Sequence, residues 1–512
     1  MHACLHVNEI LRLIAREVVA SEGEATAVAL ACCCKGFEDI VLDILWETQH
    51  NLVRLLKTFP EDVWNVGECL VSVQTTCAAS SLNYFIRKYF RRLPTTLELT
   101  RFRKYARRIR NFKDFGSLDL DSLSSEVFLV LQRFSFNEPL LPNLKTLELW
   151  FVDAETAPFI LSFISPATTC IDISFETSHL PKGLVASIIT IFSARCPNLQ
   201  RIGLRDLPRD PMITAAVSEL LLTTNQNTLR TFYVDSPLTE EAREVVHKLP
   251  DLRGLTVVIE RGAPLPSLVL PGLTKLTVRY DHDDDCLEMF HGATLGKLKY
   301  IQLNSKSEQI GDFLGTFERV ALAASAQNTL SDIRLYTSCS RSPTFSSLLS
   351  FTQTKYLFVV FPCVGGCSSM VDDDTIINLA RAMPKLESLV LGSPPCRRIP
   401  TGVTAKGLVV LANHCSSLSD LCIHIQVASL ITPPPTIGIT PNPKPSDLRR
   451  DCALNHLEVG KIPMPDHSVL TVAITLGRIF PWLTSIEGTH EGWEKVEDAI
   501  SLSRKIINYS SE

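Results

Sequence analysis

The densest set of reactive side chains lies at residues 87–113. Arg87, Lys88, Arg91, Arg92, Arg101, Arg103, Lys104, Arg107, Arg108, Arg110 and Lys113 stand there against one acid, Glu98. The segment is therefore +10 and the remainder −15, against −5 for the whole chain. Tyr84, Phe85, Tyr89, Phe90, Phe102, Tyr105 and Phe112 are interleaved. Such a mixture can hold phosphate or acidic groups, dock on an acidic partner surface, or form a solvated helix pair. The helix pair is the expectation, with rings turned inward and guanidinium groups outward.

Other arrangements fall short of chemistry. Asp281-His282-Asp283-Asp284-Asp285 begins like a calcium loop, but Cys286 stands at the turn glycine and Gly292 at the bidentate glutamate. Asp372-Asp373-Asp374 suits a helix cap better. Cys363 and Cys367 have no second Cys/His pair at zinc spacing. Cys32-Cys33-Cys34 cannot share one helix face. Gly292-x3-Gly296-Lys297 is one residue short of a phosphate loop. His414 and His424 read as structural. No catalytic residue, metal or cofactor is assigned, and no activity of the chain's own is expected.

The 512 residues are 45% hydrophobic and 21% charged, which excludes a largely disordered chain. No apolar run reaches the ~18 residues that span a bilayer. The first apolar stretch is broken by Arg12, Arg16 and Glu17, unlike a signal peptide. The sixteen cysteines are scattered through apolar patterns, as small hydrophobes are in a reducing compartment. The expectation is a soluble protein, cytoplasmic, nuclear or both, without membrane association. The negative net charge gives no field for nucleic acid.

A repeating phrase, Leu-x-x-Leu-x-Leu, must position whatever function the chain has. It occurs at Leu144/Leu147/Leu149, Leu199/Ile202/Leu204, Leu229/Phe232/Val234, Leu252/Leu255/Val257, Leu273/Leu276/Val278, Leu298/Ile301/Leu303, Leu330/Ile333/Leu335, Leu386/Leu389/Leu391 and Leu418/Leu421/Ile423. Weaker copies fall at Ile171/Ile173, Tyr356/Leu357/Val359, Leu454/Leu457/Val459 and Leu483/Ile486. Spacings of about 21–32 residues bracket the leucine-rich-repeat period. Apolar segments at helical spacing lie between, such as Leu184–Phe192 and Thr375–Met383. Alternate strand residues are polar or variable, so one sheet face is open, unlike a doubly wound sheet covered on both faces. The fold class is α/β: an N-terminal three-helix module and helical linker, then an irregular leucine-rich-repeat solenoid with parallel β on its concave face. The divisions expected are 1–50, a basic helical linker 51–115, repeats 116–490, and a C-terminal helix or tail 491–512. A Pro-rich loop, 432–445, interrupts the repeats, with six prolines in fourteen residues.

The N-terminal module has its own grammar. Val7–Val19 reads as an amphipathic helix with a wide stripe of Ile10, Leu11, Leu13, Ile14 and Val18, and Asn8 as its cap. Helices follow at Ala25–Cys34 and Phe37–Trp46. His6-Val7-Asn8-Glu9-Ile10-Leu11-Arg12-Leu13-Ile14, Leu30-Ala31-Cys32-Cys33-Cys34-Lys35-Gly36-Phe37 and Leu45-Trp46 resemble, in this order, an F-box. The opening Leu-Pro of that pattern is absent. The segment from Leu45 to Trp64 is also similar to F-box-like proteins of mushroom-forming fungi. The resemblance covers about 43 of 512 residues. It implies a substrate-recognition subunit of a Skp–cullin–F-box ubiquitin ligase. Ile10, Leu11, Ile14, Leu30, Cys34, Phe37, Leu45 and Trp46 would meet the Skp adaptor and, through it, cullin. The other reading is a ligase-independent scaffold whose N-terminal helices cap the solenoid.

A protein substrate is expected on the concave face. Strand residues between and just after the inward leucines include Trp150, Arg205, Tyr233, Arg279, Arg334 and Tyr336. These are the residue types that dominate binding hot spots.

Overall fold

The computed structural model describes residues 7–33, 35–71, 83–114, 123, 125–134, 138–154, 156–176, 180–262, 268–291, 293–305, 313–323, 326, 328–337, 345–360, 371–392, 402–431, 452–460, 462–488 and 490–509. The Pro-rich loop, Cys34, Cys363 and Cys367 lie outside them. The chain packs as two compact units, Met1–Leu252 and Arg253–Glu512.

The first unit opens with α1 (Asn8–Ser21), α2 (Glu24–Cys33) and α3 (Lys35–Glu47). Leu11, Ala15, Ala27, Ile40 and Val41 form their shared core, with Val18, Leu30, Phe37 and Leu45 packed around it. The cap position of α1 is Val7 and carries no side-chain bond; Asn8 is already helical, so it does not cap. Next come β1 (Thr48–Gln49), α4 (Val53–Leu56), β2 (Trp64–Val71), β3 (Asn83–Phe90), α5 (Thr96–Ala106) and β4 (Asn111–Asp114). The stretch 51–115 is thus not a helical linker. β2 and β3 pair as an antiparallel hairpin. β1 and β4 pair in parallel and begin the main sheet. Aromatic and β-branched residues in Tyr84-Phe85-Ile86 and Tyr89-Phe90 favour a strand over the expected helix.

The main sheet then runs in chain order through β5 (Thr146–Val152), β6 (Cys170–Phe175), β7 (Arg201–Arg205) and β8 (Thr231–Val234). The second unit continues with β9 (Gly254–Ile259), β10 (Lys275–Tyr280), β11 (Tyr300–Ser305), β12 (Asp332–Tyr336), β13 (Tyr356–Val360), β14 (Ser388–Leu391), β15 (Asp420–Cys422), β16 (His456–Gly460) and β17 (Ser485–Gly488). Within each unit the described neighbouring strands of the sheet pair in parallel, and helices connect most of them.

The repeats fall into register. Phe112, Leu147, Ile171, Ile202 and Phe232 form one inward row in the first unit. Leu255, Leu276, Ile301, Ile333, Leu357, Leu389, Leu421, Leu457 and Ile486 form its counterpart in the second. The weaker copies therefore occupy the same places as the clear ones. The opening leucine of each phrase, such as Leu144, Leu273, Leu298, Leu386 and Leu418, is fully buried and closes a tight turn. In these five its amide donates to the carbonyl three residues earlier, as Leu273 does to Leu270 at 3.0 Å. Each buried leucine contributes ~2 kcal/mol of apolar transfer, so the row holds neighbouring repeats together.

The described edges are covered or short. β1 has two residues. At β17 the helix Glu491–Tyr509 lays buried Trp493, Val496 and Ile500 over the last layer. Glu497 accepts the Ile486 amide at 2.6 Å, so that edge donor is not left as a template for another strand.

Candidate functional site

Two surfaces answer to the residues singled out above, and the first is on α1. Its face toward α2 and α3 carries Leu11 (4% exposed) and Ala15. Beside that face lies an apolar stripe left open: Val7 (41% exposed), Ile10 (36%), Leu13 (66%) and Ile14 (37%). The seven described residues of the eight expected at the Skp adaptor therefore separate. Ile10 and Ile14 are on the surface. Leu11, Leu30, Phe37 and Leu45 belong to the module's own packing. Trp46 turns to α5, its ring 4.7 Å from that of Tyr105. The α1 stripe is wide enough to serve a core and a surface at once, which is why period alone did not divide it.

The module is fixed to the start of the sheet. Arg108, between α5 and β4, pairs with Asp39 at 2.6 Å and with Asp43, both on α3. The Arg110 amide donates to the Glu47 carbonyl at 2.9 Å. Arg54 pairs with Glu24 at 2.9 Å.

The second surface is the open face of the sheet, described unit by unit. In the first unit Asp172 of β6 is nearly buried. Arg201 and Arg205, both on β7, reach it at 2.6 and 3.1 Å. Gly203 stands between the two arginines, in register with Asp172. A Cβ at Gly203 would lie 2.5 Å from an Asp172 carboxylate oxygen, so glycine leaves the room the carboxylate occupies. Arg205 also lies over the Trp150 ring at 5.2 Å. Burial raises the Tyr233 phenol above its usual range, beside the same charges. Trp150, Arg205 and Tyr233 thus gather around one carboxylate.

In the second unit the open face stacks cations on rings. Lys275 sits over Tyr300 at 4.4 Å. Arg334 lies between Tyr300 at 5.3 Å and Phe358 at 4.6 Å. Asp332 accepts from Arg334 through both carboxylate oxygens, at 3.0 and 3.2 Å. Tyr300 donates to Gln302 at 2.5 Å, and burial pushes its phenol up to about 12. Lys355 pairs with Glu387 at 2.6 Å, and Tyr356 donates to the same carboxylate. Arg279 and Tyr336 flank Asn304 in one register row. Asp172, Gly203, Asp332 and Phe358 were not singled out from sequence. Asp172 falls between Ile171 and Ile173 in a weak repeat copy, where counting the same place in each repeat would have found it.

The interior thiols are poor nucleophiles. Burial pushes the thiols of Cys196 and Cys415 up to about 12 and that of Cys170 to about 11, far from the thiolate range. Among the described residues, no group of three or more His, Cys, Asp or Glu could hold a metal ion. No described helix is long and apolar enough to cross a membrane.

In-register inward rows, tight leucine turns and covering helices define an α/β leucine-rich-repeat fold. No family model matches the chain, and no curated sequence does. Solved structures similar to it include the Rad7–Elc1 complex of yeast, at 13% identity over 69% of this chain and 76% of that one, TM-score 0.38. The leucine-rich-repeat protein LegL7 of Legionella pneumophila matches at 8% over 67% and 92%, TM-score 0.30. The ectodomain of the Arabidopsis thaliana receptor kinase GASSHO1/SCHENGEN3 matches at 12% over 77% and 48%, TM-score 0.26.

Proposed function

We propose that the chain is a non-catalytic substrate-recognition adaptor of a Skp–cullin–F-box ubiquitin ligase. Its N-terminal module docks on a Skp adaptor, and the open face of the sheet holds a protein substrate. The observation that carries the reading is the α1 stripe. A helix that already closes its own module has no structural need for Val7, Ile10, Leu13 and Ile14 in water. An apolar helix face of this kind suits a partner helix or groove. The Trp, Tyr and Arg residues of the open face suit a protein ligand.

A scaffold without ligase partners is the second reading. The Arg108–Asp39/Asp43 contacts and the Trp46–Tyr105 stack favour it, because they fix the three helices as a cap on β1 and β4.

Co-expression of the full chain with a Skp adaptor, followed by size exclusion, separates them. The informative variant is Ile10→Glu with Ile14→Glu, since both side chains are exposed and the module core is untouched. Leu11→Glu would instead bury a charge and unfold the module. A one-to-one complex that the double variant abolishes, with its melting temperature kept, is the expected result. A well-folded wild type that forms no complex would leave the scaffold reading.

A further inference from the structure

A second exposed face lies on α5, away from anything the adaptor reading uses. The helix begins with a capping box: Glu98 donates its amide to the Thr95 hydroxyl, and the Glu98 carboxylate accepts the Thr95 amide. Arg92 bridges Glu98 at 2.8 Å and Asp62 at 2.7 Å, which fixes this end. Leu99, Phe102 and Ala106 form the buried side, at positions three and seven apart. Phe102 stacks on Phe59 at 5.1 Å, and Tyr105 on Trp46. The other side carries Leu97, Arg101 and Lys104, spaced four and three apart on one stripe. Leu97 is 82% exposed, and Leu93, just before the helix, is 56% exposed.

Six of the eleven cations fall into two groups. Arg92, Arg107, Arg108 and Lys113 have acids within reach: Asp62 and Glu98, Glu138, Asp39 and Asp43, and Glu148. Arg101 and Lys104 have no ion pair among the described residues and point to solvent. An exposed cation pair beside an exposed leucine, on a helix locked at its start, is a preorganised docking surface. The two α5 rings are turned inward, so none is offered for bases to stack on. We infer that the Leu97–Arg101–Lys104 face of α5 docks an acidic segment of a partner protein, one that sets carboxylates against Arg101 and Lys104 and an apolar side chain against Leu97.

The test uses the full chain and a fluorescent peptide of roughly fifteen residues built from Glu-Glu-Leu repeats, read by anisotropy. A labelled single-stranded DNA of similar length is the second probe. We expect the peptide to bind, and binding to weaken several-fold as salt rises from about 0.05 to about 0.2 M. Arg101→Glu with Lys104→Glu should weaken it about tenfold and Leu97→Ser about threefold. Arg101→Ala with Lys104→Ala should have a smaller effect in the same direction, and serves if the reversal perturbs folding by circular dichroism. Peptide affinity unchanged in the charge variants, no peptide binding, or tighter binding of the DNA would overturn the inference. So would a salt-sensitive self-association of the chain that the same variants abolish. Because Ile10 and Ile14 are not altered, the Skp complex should survive these variants, so the two proposals fail independently.

Discussion

The open faces of the two units use arginine in opposite ways. In the first, Arg201 and Arg205 are drawn down to one nearly buried carboxylate, Asp172, and the missing side chain of Gly203 makes the space. Much of their charge is spent inside the fold. In the second, Arg334, about as exposed as those two, is held between the rings of Tyr300 and Phe358 and oriented by Asp332 on its own strand. Its carboxylate partner leaves one edge of the guanidinium open. The same residue type is thus tied to a nearly buried acid in one unit and sandwiched between rings in the other. What decides is the depth of the partner. A buried carboxylate such as Asp172, 6% exposed, needs its cations more than Asp332, which is 18% exposed and keeps some contact with solvent.

The sharpest break of this comparison is at Gly203. Gly203→Val forces the Asp172 carboxylate from its place, which overpacking would charge at about 1–3 kcal/mol. Gln302→Val, at the corresponding open-face position of the second unit, forces nothing from its place and removes the acceptor of the Tyr300 hydroxyl, a loss of about 0.5–1 kcal/mol. Urea unfolding of both variants measures the difference. Equal losses would mean that the Asp172 cluster is no more structural than its counterpart.

The inner rows were legible before any coordinates, because leucine spacing reports a burial that every repeat must satisfy. Leu147, Ile202, Leu276 and Ile333 lie where the phrase puts them. The open faces were less so. Trp150, Arg205 and Arg334 stand out by type, but Asp172 does not, since its role depends on two arginines about thirty residues downstream and on a glycine between them. The linker was misread for a related reason. β1 has only two residues, too few to show a period, and the cations of 87–113 masked a strand followed by a helix and a second strand. On α1, periodicity marks apolar residues without saying which of them meet their own module. Leu11 and Ile10 are adjacent in the stripe and lie on opposite sides of that boundary.

Double-mutant cycles put a smaller number on the same contrast. The Asp172→Ala/Arg201→Ala pair should show coupling of about 1–2 kcal/mol, reduced from a fully buried pair because Arg201 is 42% exposed. The Arg334→Ala/Phe358→Ala pair should show about 0.5–1 kcal/mol, the range of a surface cation–π contact. A reversed order would make Arg334 the more structural of the two arginines.

The finest test is the Tyr300 phenol, because it reports how dry the stacked surface is. Burial is the largest cause of its rise to about 12; Arg334 nearby acts against that rise by favouring the phenolate. An unfolded tyrosine ionises near 10. The folded chain therefore prefers the neutral phenol, and the stability this gives is present below pH ~10 and lost as pH rises through about 12. Ultraviolet titration of wild type against Tyr300→Phe isolates one phenol among nine tyrosines. The difference curve should rise about two pH units later than that of an exposed tyrosine. A midpoint near 10 would mean that water reaches the ring freely, and Arg334 would then hold no preformed face for a partner.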